Sequence, residues 1–180
     1  MYAGHVGIGL GLRRLRWAPP LWVLVLAAQL PDWGDALLEL SGTAPREPGW
    51  SPHGFPLLAA GALGVGLVGW RLARGWRGGA IAAAACLSHW AADYVTGWKP
   101  TWPGGPTNVG LMWYFHPRRD FALEVAVTVV GWALWRGTLP RPAEGRGARG
   151  RRALEWGLLA LLVVLQGAVD GVMARRNGGW

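Results

Sequence analysis

Apolar residues fall in long runs along this chain, and the polar residues between them gather at a few places. The runs 17–40, 55–72, 78–96, 117–135 and 153–173 each approach the length that crosses a hydrocarbon core of roughly 30 Å at about 1.5 Å per residue. The run Tyr2–Leu12 is shorter and makes roughly 16 Å of helix, which predicts a short helix entering from one side. The pattern predicts an all-α, polytopic membrane protein: about five full transmembrane helices plus a short amino-terminal membrane helix, all in one domain spanning 1–180. Pro31 falls inside the first full run and is expected to kink it just where Asp32 and Asp35 appear. Residues 41–52 and 97–115 read as loops, and 137–152 as a basic Pro/Gly/Arg linker.

Charge adds a direction. The clusters Arg13–Arg16, Arg71–Arg77 and Arg136–Arg152 hold twelve of the 18 Lys and Arg residues. They share one side if the spans alternate, and that side is expected to be cytoplasmic. Both termini, and eight of the ten acidic residues, then fall toward the outer side. The 14 Trp and 29 Gly suit a membrane protein, since Trp collects at bilayer interfaces and Gly is tolerated in spans. A pI near 11.2 raises nucleic acid as a partner, but basic residues in short clusters between apolar runs point to topology instead. No cleavable signal peptide is expected, because the first residues carry His5 rather than a basic region. Cys86 is a lone cysteine within an apolar run, expected to be a small packed core residue. Gly64-Val65-Gly66-Leu67-Val68-Gly69 matches a dinucleotide-binding string. It lies in mid-span with no strand before it, so close helix packing is the better reading.

Ionisable residues within membrane-length segments carry the candidate chemistry, because they are costly there. His89 and Asp93, four apart, share a helix face at the end of one run, and His116 and Asp120 repeat that spacing. Counting from the arginine clusters at about 1.5 Å per residue puts Asp32, His53, His89, Asp93, His116 and Asp120 in one outer layer. His5, roughly 12 Å from Arg13 by the same count, fits only if the first helix is tilted or bent. Imidazoles and carboxylates at one level suit zinc or a similar divalent metal. The number of candidate ligands allows one to three ions, with manganese as an alternative to zinc and Asp32 as the expected bridge. Two metals suit phosphoester hydrolysis, one activating water while both neutralise developing charge. Arg118 and Arg119 are candidates to hold a phosphate, and Asp32 or Asp35 to act as general base.

Competing readings attach to each residue. A membrane His can be a helix–helix hydrogen-bonding group, and the whole layer a buried polar network. Asp35 can cap a helix after Pro31. Asp170 and Glu39 read as interfacial, and Arg118 and Arg119 can be interface anchors. Glu124, one turn deeper than Asp120 on its face, reads equally as a ligand, as support for a ligand, or as a structural partner.

His5 before a Gly-rich run, Pro-Asp-x-x-Asp at 31–35, Ser-Pro-His at 51–53 and His-x-x-x-Asp at 89–93 resemble the bacterial membrane-bound metal-dependent hydrolase family. That group contains the LexA-regulated inner-membrane proteins of the YdjM type. The resemblance covers roughly residues 1–125 and implies His5, Asp32, His53, His89 and Asp93 as metal ligands, with His116 and Asp120 as a later pair. The ligand order is also similar to the zinc-dependent phospholipase C and S1/P1 nuclease class, which implies an all-helical fold and phosphoester chemistry. The chain has fewer His than that class and lacks its amino-terminal Trp ligand. The resulting expectation is a metal-dependent hydrolase of the bacterial cytoplasmic (inner) membrane. Its site opens to the outer face and acts on a phosphoester in a lipid or other amphiphile, under a cover formed by residues 97–115. The alternatives are a divalent-metal or proton transporter, and a non-catalytic protein with a structural metal or polar cluster.

Overall fold

A computed structural model describes residues 2–105, 108–140 and 146–176. Among them are six α-helices: α1 Ala3–Leu12, α2 Leu21–Leu40, α3 Phe55–Ala73, α4 Trp76–Thr96, α5 Pro117–Arg136 and α6 Arg146–Arg176. Short 3-10 turns at Pro48–Trp50 and Trp113–Phe115 lie in the loops. The all-α expectation therefore holds. Three stretches, Leu21–Leu40, Pro48–Ala73 and Gly147–Arg175, are long and apolar enough to cross a membrane. α4 and α5 have comparable length but bury His89, Asp93, Asp120 and Glu124, and the expected five full spans are not reached by composition. Apolar side chains such as Leu63, Leu67, Leu154 and Val164 stand more than half exposed on the outer surface, as expected where lipid replaces water as solvent.

Two apolar clusters hold the helices together. Leu24 and Ala27 of α2, Leu58 and Ala62 of α3, and Ala85 and Cys86 of α4 form one. Ala3 and Leu10 of α1, Trp132 of α5, and Leu159 and Leu162 of α6 form the other. Cys86 is fully buried in the first, as its setting predicted. α3 and α4 make a hairpin through small residues: a Cβ on Gly69 would stand 2.6 Å from that of Ala82, and one on Gly66 would be 3.4 Å from the Gly79 carbonyl. Gly64 has nothing within 4 Å, so two of the three string glycines serve packing and the third does not.

α1 starts inside the protein, which the depth count did not foresee. The backbone N–H groups of Tyr2 and Gly4 donate to the Glu124 carboxylate at 2.9 and 2.8 Å, and that of Ala3 donates to Gln166 Oε1 at 3.1 Å. Glu124 thus accepts the unpaired amides that open α1 and offers a negative charge to its dipole. Of the readings open for it, the structural one describes this contact. α1 is wedged between α2 and α5 by its glycines. A Cβ on Gly7 would lie 2.6 Å from the Thr128 Cα, and one on Gly9 would lie 3.0 Å from the Val25 Cα.

Two further expectations change. α6 begins at Arg146 rather than Ala153, because Glu155 anchors its first turns. Arg151 and Arg136 donate through Nε to its two carboxylate oxygens at 3.1 and 3.0 Å, and Trp132 donates to its carbonyl at 2.8 Å. Residues 141–145 of the expected linker and 177–180 of the tail lie outside the described residues. Asp170, read as interfacial, is buried and accepts from Gln166 Nε2 at 3.0 Å.

An ideal Cβ on Gly131 would fall 1.8 Å from the Gly7 carbonyl oxygen. Gly131→Ala will therefore lower the unfolding temperature in detergent, at a cost of about 1–3 kcal/mol for forced overpacking. Gly64→Ala will leave stability unchanged or raise it by up to about 1 kcal/mol through helix propensity. Equal effects of the two would contradict the α1–α5 contact.

Candidate metal centre

Asp32 and Asp35 sit three apart on α2 and share a face, with Gly34 between them. That glycine admits the next segment: a Cβ there would fall 2.8 Å from Pro52 Cγ. Pro52 belongs to a tight turn closed by the Gly54 N–H on the Ser51 carbonyl at 2.8 Å. The turn carries His53 over the two carboxylates. Gly49, where a Cβ would meet Pro103 N, lets the same loop pack under residues 102–103. α4 then brings His89 and Asp93, one turn apart and both buried, against α2 and α1.

One ligand atom from each of Asp32, His53, His89 and Asp93 lies within 4.8 Å of the others. The hydrogen bonds behind the imidazoles decide what those atoms are. His89 Nδ1 meets the Ala28 carbonyl at 2.7 Å, an acceptor only, so Nδ1 carries the proton. His53 Nδ1 meets Asp35 Oδ2 at 2.6 Å, again an acceptor when ionised. With Nδ1 protonated, each ring in its neutral form presents Nε2 inward as the free nitrogen, and the two Nε2 atoms lie 2.9 Å apart. This is the arrangement by which backing acceptors orient histidine ligands. Asp35 serves His53 directly, which the sequence reading as base or cap did not capture.

Asp93 is the hub of the contacts within this group. Its Oδ1 accepts from His5 Nε2 at 3.0 Å, and its Oδ2 lies 3.3 Å from His53 Nε2 and 3.2 Å from His89 Nε2. The His5 ring stacks on that of His89 with centroids 3.8 Å apart, so α1 reaches the site through its buried start. Lys99 places its ammonium on Asp93 Oδ2. No motif pointed to this residue, yet it is the sole lysine among the chain's 18 basic residues. Its strand-like pairing with Val109, and the Phe55 N–H on the Thr101 carbonyl at 2.9 Å, hold the loop against the site. Tyr114, on the same loop, is bonded to Thr96. Burial, and then the charge of Asp93, push its phenol above the ordinary tyrosine range, which keeps it protonated.

These residues fit a divalent metal. Two imidazole nitrogens on one tetrahedral zinc at about 2.0–2.1 Å stand about 3.3 Å apart, a small adjustment from the observed 2.9 Å. Asp32 Oδ1 lies 3.3 and 3.5 Å from the two Nε2 atoms, and Asp32 Oδ2 is buried with no hydrogen bond among the described residues. The site opens at α2, where the Asp32 and Asp35 side chains are 26% and 35% exposed against 0–5% for the imidazoles and Asp93.

The remaining sequence candidates do not join this group. The His116 side chain is exposed and Asp120 is buried beside Glu124 and Asp170. His116 precedes Pro117 with φ −124° and ψ 72°. It is therefore not in the helix, and four-residue spacing does not put it on the Asp120 face. Arg118 and Arg119 are exposed on the first turn of α5 and hold no ion pair among the described residues.

Zinc affinity measured by competition with a chelating dye separates these roles. Asp35→Asn will weaken binding by about 10–100-fold, the usual effect of losing a carboxylate behind a histidine ligand. His89→Ala will abolish near-stoichiometric binding, and His116→Ala will leave affinity unchanged. Unchanged affinity in Asp35→Asn would mean that His53 is not held as a ligand.

Comparisons with protein-family models, with curated proteins and with solved structures find no match for this chain.

Proposed function

We propose that this chain is a membrane-embedded, zinc-dependent hydrolase of a phosphoester in a lipid or other amphiphile. The observation that carries the reading is the pair of inward-facing Nε2 atoms 2.9 Å apart within a carboxylate group. Two imidazole nitrogens this close, beside two carboxylates, are stabilised by a cation between them. Asp32, His53, His89 and Asp93 would hold the metal, with His5 on the far oxygen of Asp93 and manganese as the alternative ion. When bound, the metal supplies Lewis-acid polarisation of a phosphoryl oxygen and acidifies the attacking water.

The protein's own groups do the rest. Asp32, at the open edge with one oxygen unbonded, takes the proton of the attacking water. Lys99, once its ammonium leaves Asp93, offers a positive charge to the phosphate from the covering loop. In this reading α4 and α5 also cross the bilayer, giving five spans with α2, α3 and α6. The arginine clusters face the cytoplasm of a bacterial inner membrane and the site faces outward. The motif resemblance to the YdjM-type hydrolases supports the same assignment.

A divalent-metal or proton transporter is the rival. It is disfavoured by Leu24, Ala27, Leu58, Ala62, Ala85 and Cys86, which form a buried apolar cluster one to two turns from the site toward the arginine ends of their helices. A transport path needs polar groups continuing through that region.

The test begins with metal analysis of detergent-purified wild type and of the His89→Ala, Asp93→Ala double variant. Near-stoichiometric zinc in wild type and none in the variant is expected. Release of phosphate or a phosphorylated headgroup from a lipid panel should track the metal and stop on chelation. Absence of binding after reconstitution with zinc or manganese would sink the reading. Metal uptake into sealed vesicles without hydrolysis would favour the transporter.

A further inference from the structure

A groove of about 460 Å³ runs along the junction of α1 and α5, and none of the metal-centre residues lines it. Its floor is glycine, at Gly7, Gly11 and Gly131, and its walls include Ile8, Val127 and Leu134. The close α1–α5 approach forced by those glycines leaves flanking side chains as two ridges. Among the described residues no third helix lines the groove, and Val130 in its wall is 58% exposed. The groove follows α1 from Gly7 to Leu12, about 8 Å along the helix axis, and continues to Leu15 in the turn beyond it.

One end of this apolar channel is strongly charged. Leu15, the last lining residue, lies between Arg14 and Arg16, with Arg13 capping α1. Arg14 and Arg16 are exposed, and none of the three arginines holds an ion pair with a described residue. Arg16 lies 5.4 Å from the Trp17 ring and Arg77 lies 4.1 Å from it, which adds positive charge and an aromatic anchor at the same level. Apolar length ending in unpaired guanidinium groups is complementary to a molecule with an acyl chain and a phosphate. A neighbouring helix would match the groove and leave the arginines without partners.

We infer that this groove binds an anionic phospholipid, with one acyl chain along Gly7–Leu15 and the phosphate on Arg13 and Arg14. The site belongs to the leaflet on the arginine side and is separate from the proposed hydrolytic centre. Its lipid is a resident ligand that fills the space beside the short α1. Guanidinium groups engage the phosphate through paired N–H donors, and an anionic headgroup adds net charge that a zwitterionic one lacks.

Native mass spectrometry of the full chain in detergent, titrated with phosphatidylglycerol or phosphatidylcholine, tests this. Wild type should retain phosphatidylglycerol over phosphatidylcholine. Arg14→Gln should reduce that preference roughly 5-fold, and Arg13→Gln with Arg14→Gln should remove most of it. Ala126→Phe, at an exposed groove position, should reduce retention of both lipids without changing helical content. Equal retention of the two lipids by wild type would overturn the inference, as would an unchanged preference in the arginine double variant. A dimer that Ala126→Phe disperses would assign the groove to a second copy of the chain instead.

Discussion

A helix that begins in an apolar interior has several N–H groups with no helical partner, and each is costly unless something accepts from it. In this protein Glu124 and Gln166, from two different helices, accept from residues 2–4. That requirement fixes where α1 starts, and the start fixes His5. His5 in turn occupies one oxygen of Asp93 and stacks on His89. The other Asp93 oxygen is left to face the two Nε2 atoms and Lys99. A carboxylate on α5 thus determines the geometry of a site to which it contributes no ligand atom.

The site itself shows how main-chain and side-chain constraints combine. Pro31 removes the N–H that would bond the Ala27 carbonyl, and at the neighbouring residue Ala28 the carbonyl accepts from His89. A carbonyl next to the one that Pro31 frees is therefore paired with an imidazole of the site. Asp35 plays the matching part for His53. Each imidazole is held from behind by an acceptor on α2, and α2 also supplies Asp32. One helix sets the tautomers of both rings and provides the open edge.

The helices were legible because apolar runs of membrane length have few alternatives, and the α4 pair was legible because four-residue spacing is reliable within a helix. The same rule misled at His116, whose proline neighbour keeps it out of the helix. Depth counting grouped Asp32, His53, His89 and Asp93 in one layer, but it treats each helix as starting at a surface. α1 does not, so His5 looked like a misfit while it touches Asp93. Asp170 looked interfacial for the same reason: a one-dimensional count cannot tell a residue facing a buried neighbour from one facing the headgroups. Lys99 was invisible because its role depends on the loop folding back through its pairing with Val109. Composition offered only its singularity among arginines.

The contacts that seat α1 also impose an order on assembly. Its amides bond partners 120 to 163 residues later in the chain, and His5 meets Asp93 across 88 residues. α1 therefore waits for α5 and α6, which are synthesised after it, before its polar start is satisfied. Until α5 and α6 arrive, His5 has no fixed depth and Asp93 lacks one of its partners. Closure of the site therefore follows the arrival of α5 and α6, and a residue made well before them, His5, completes it.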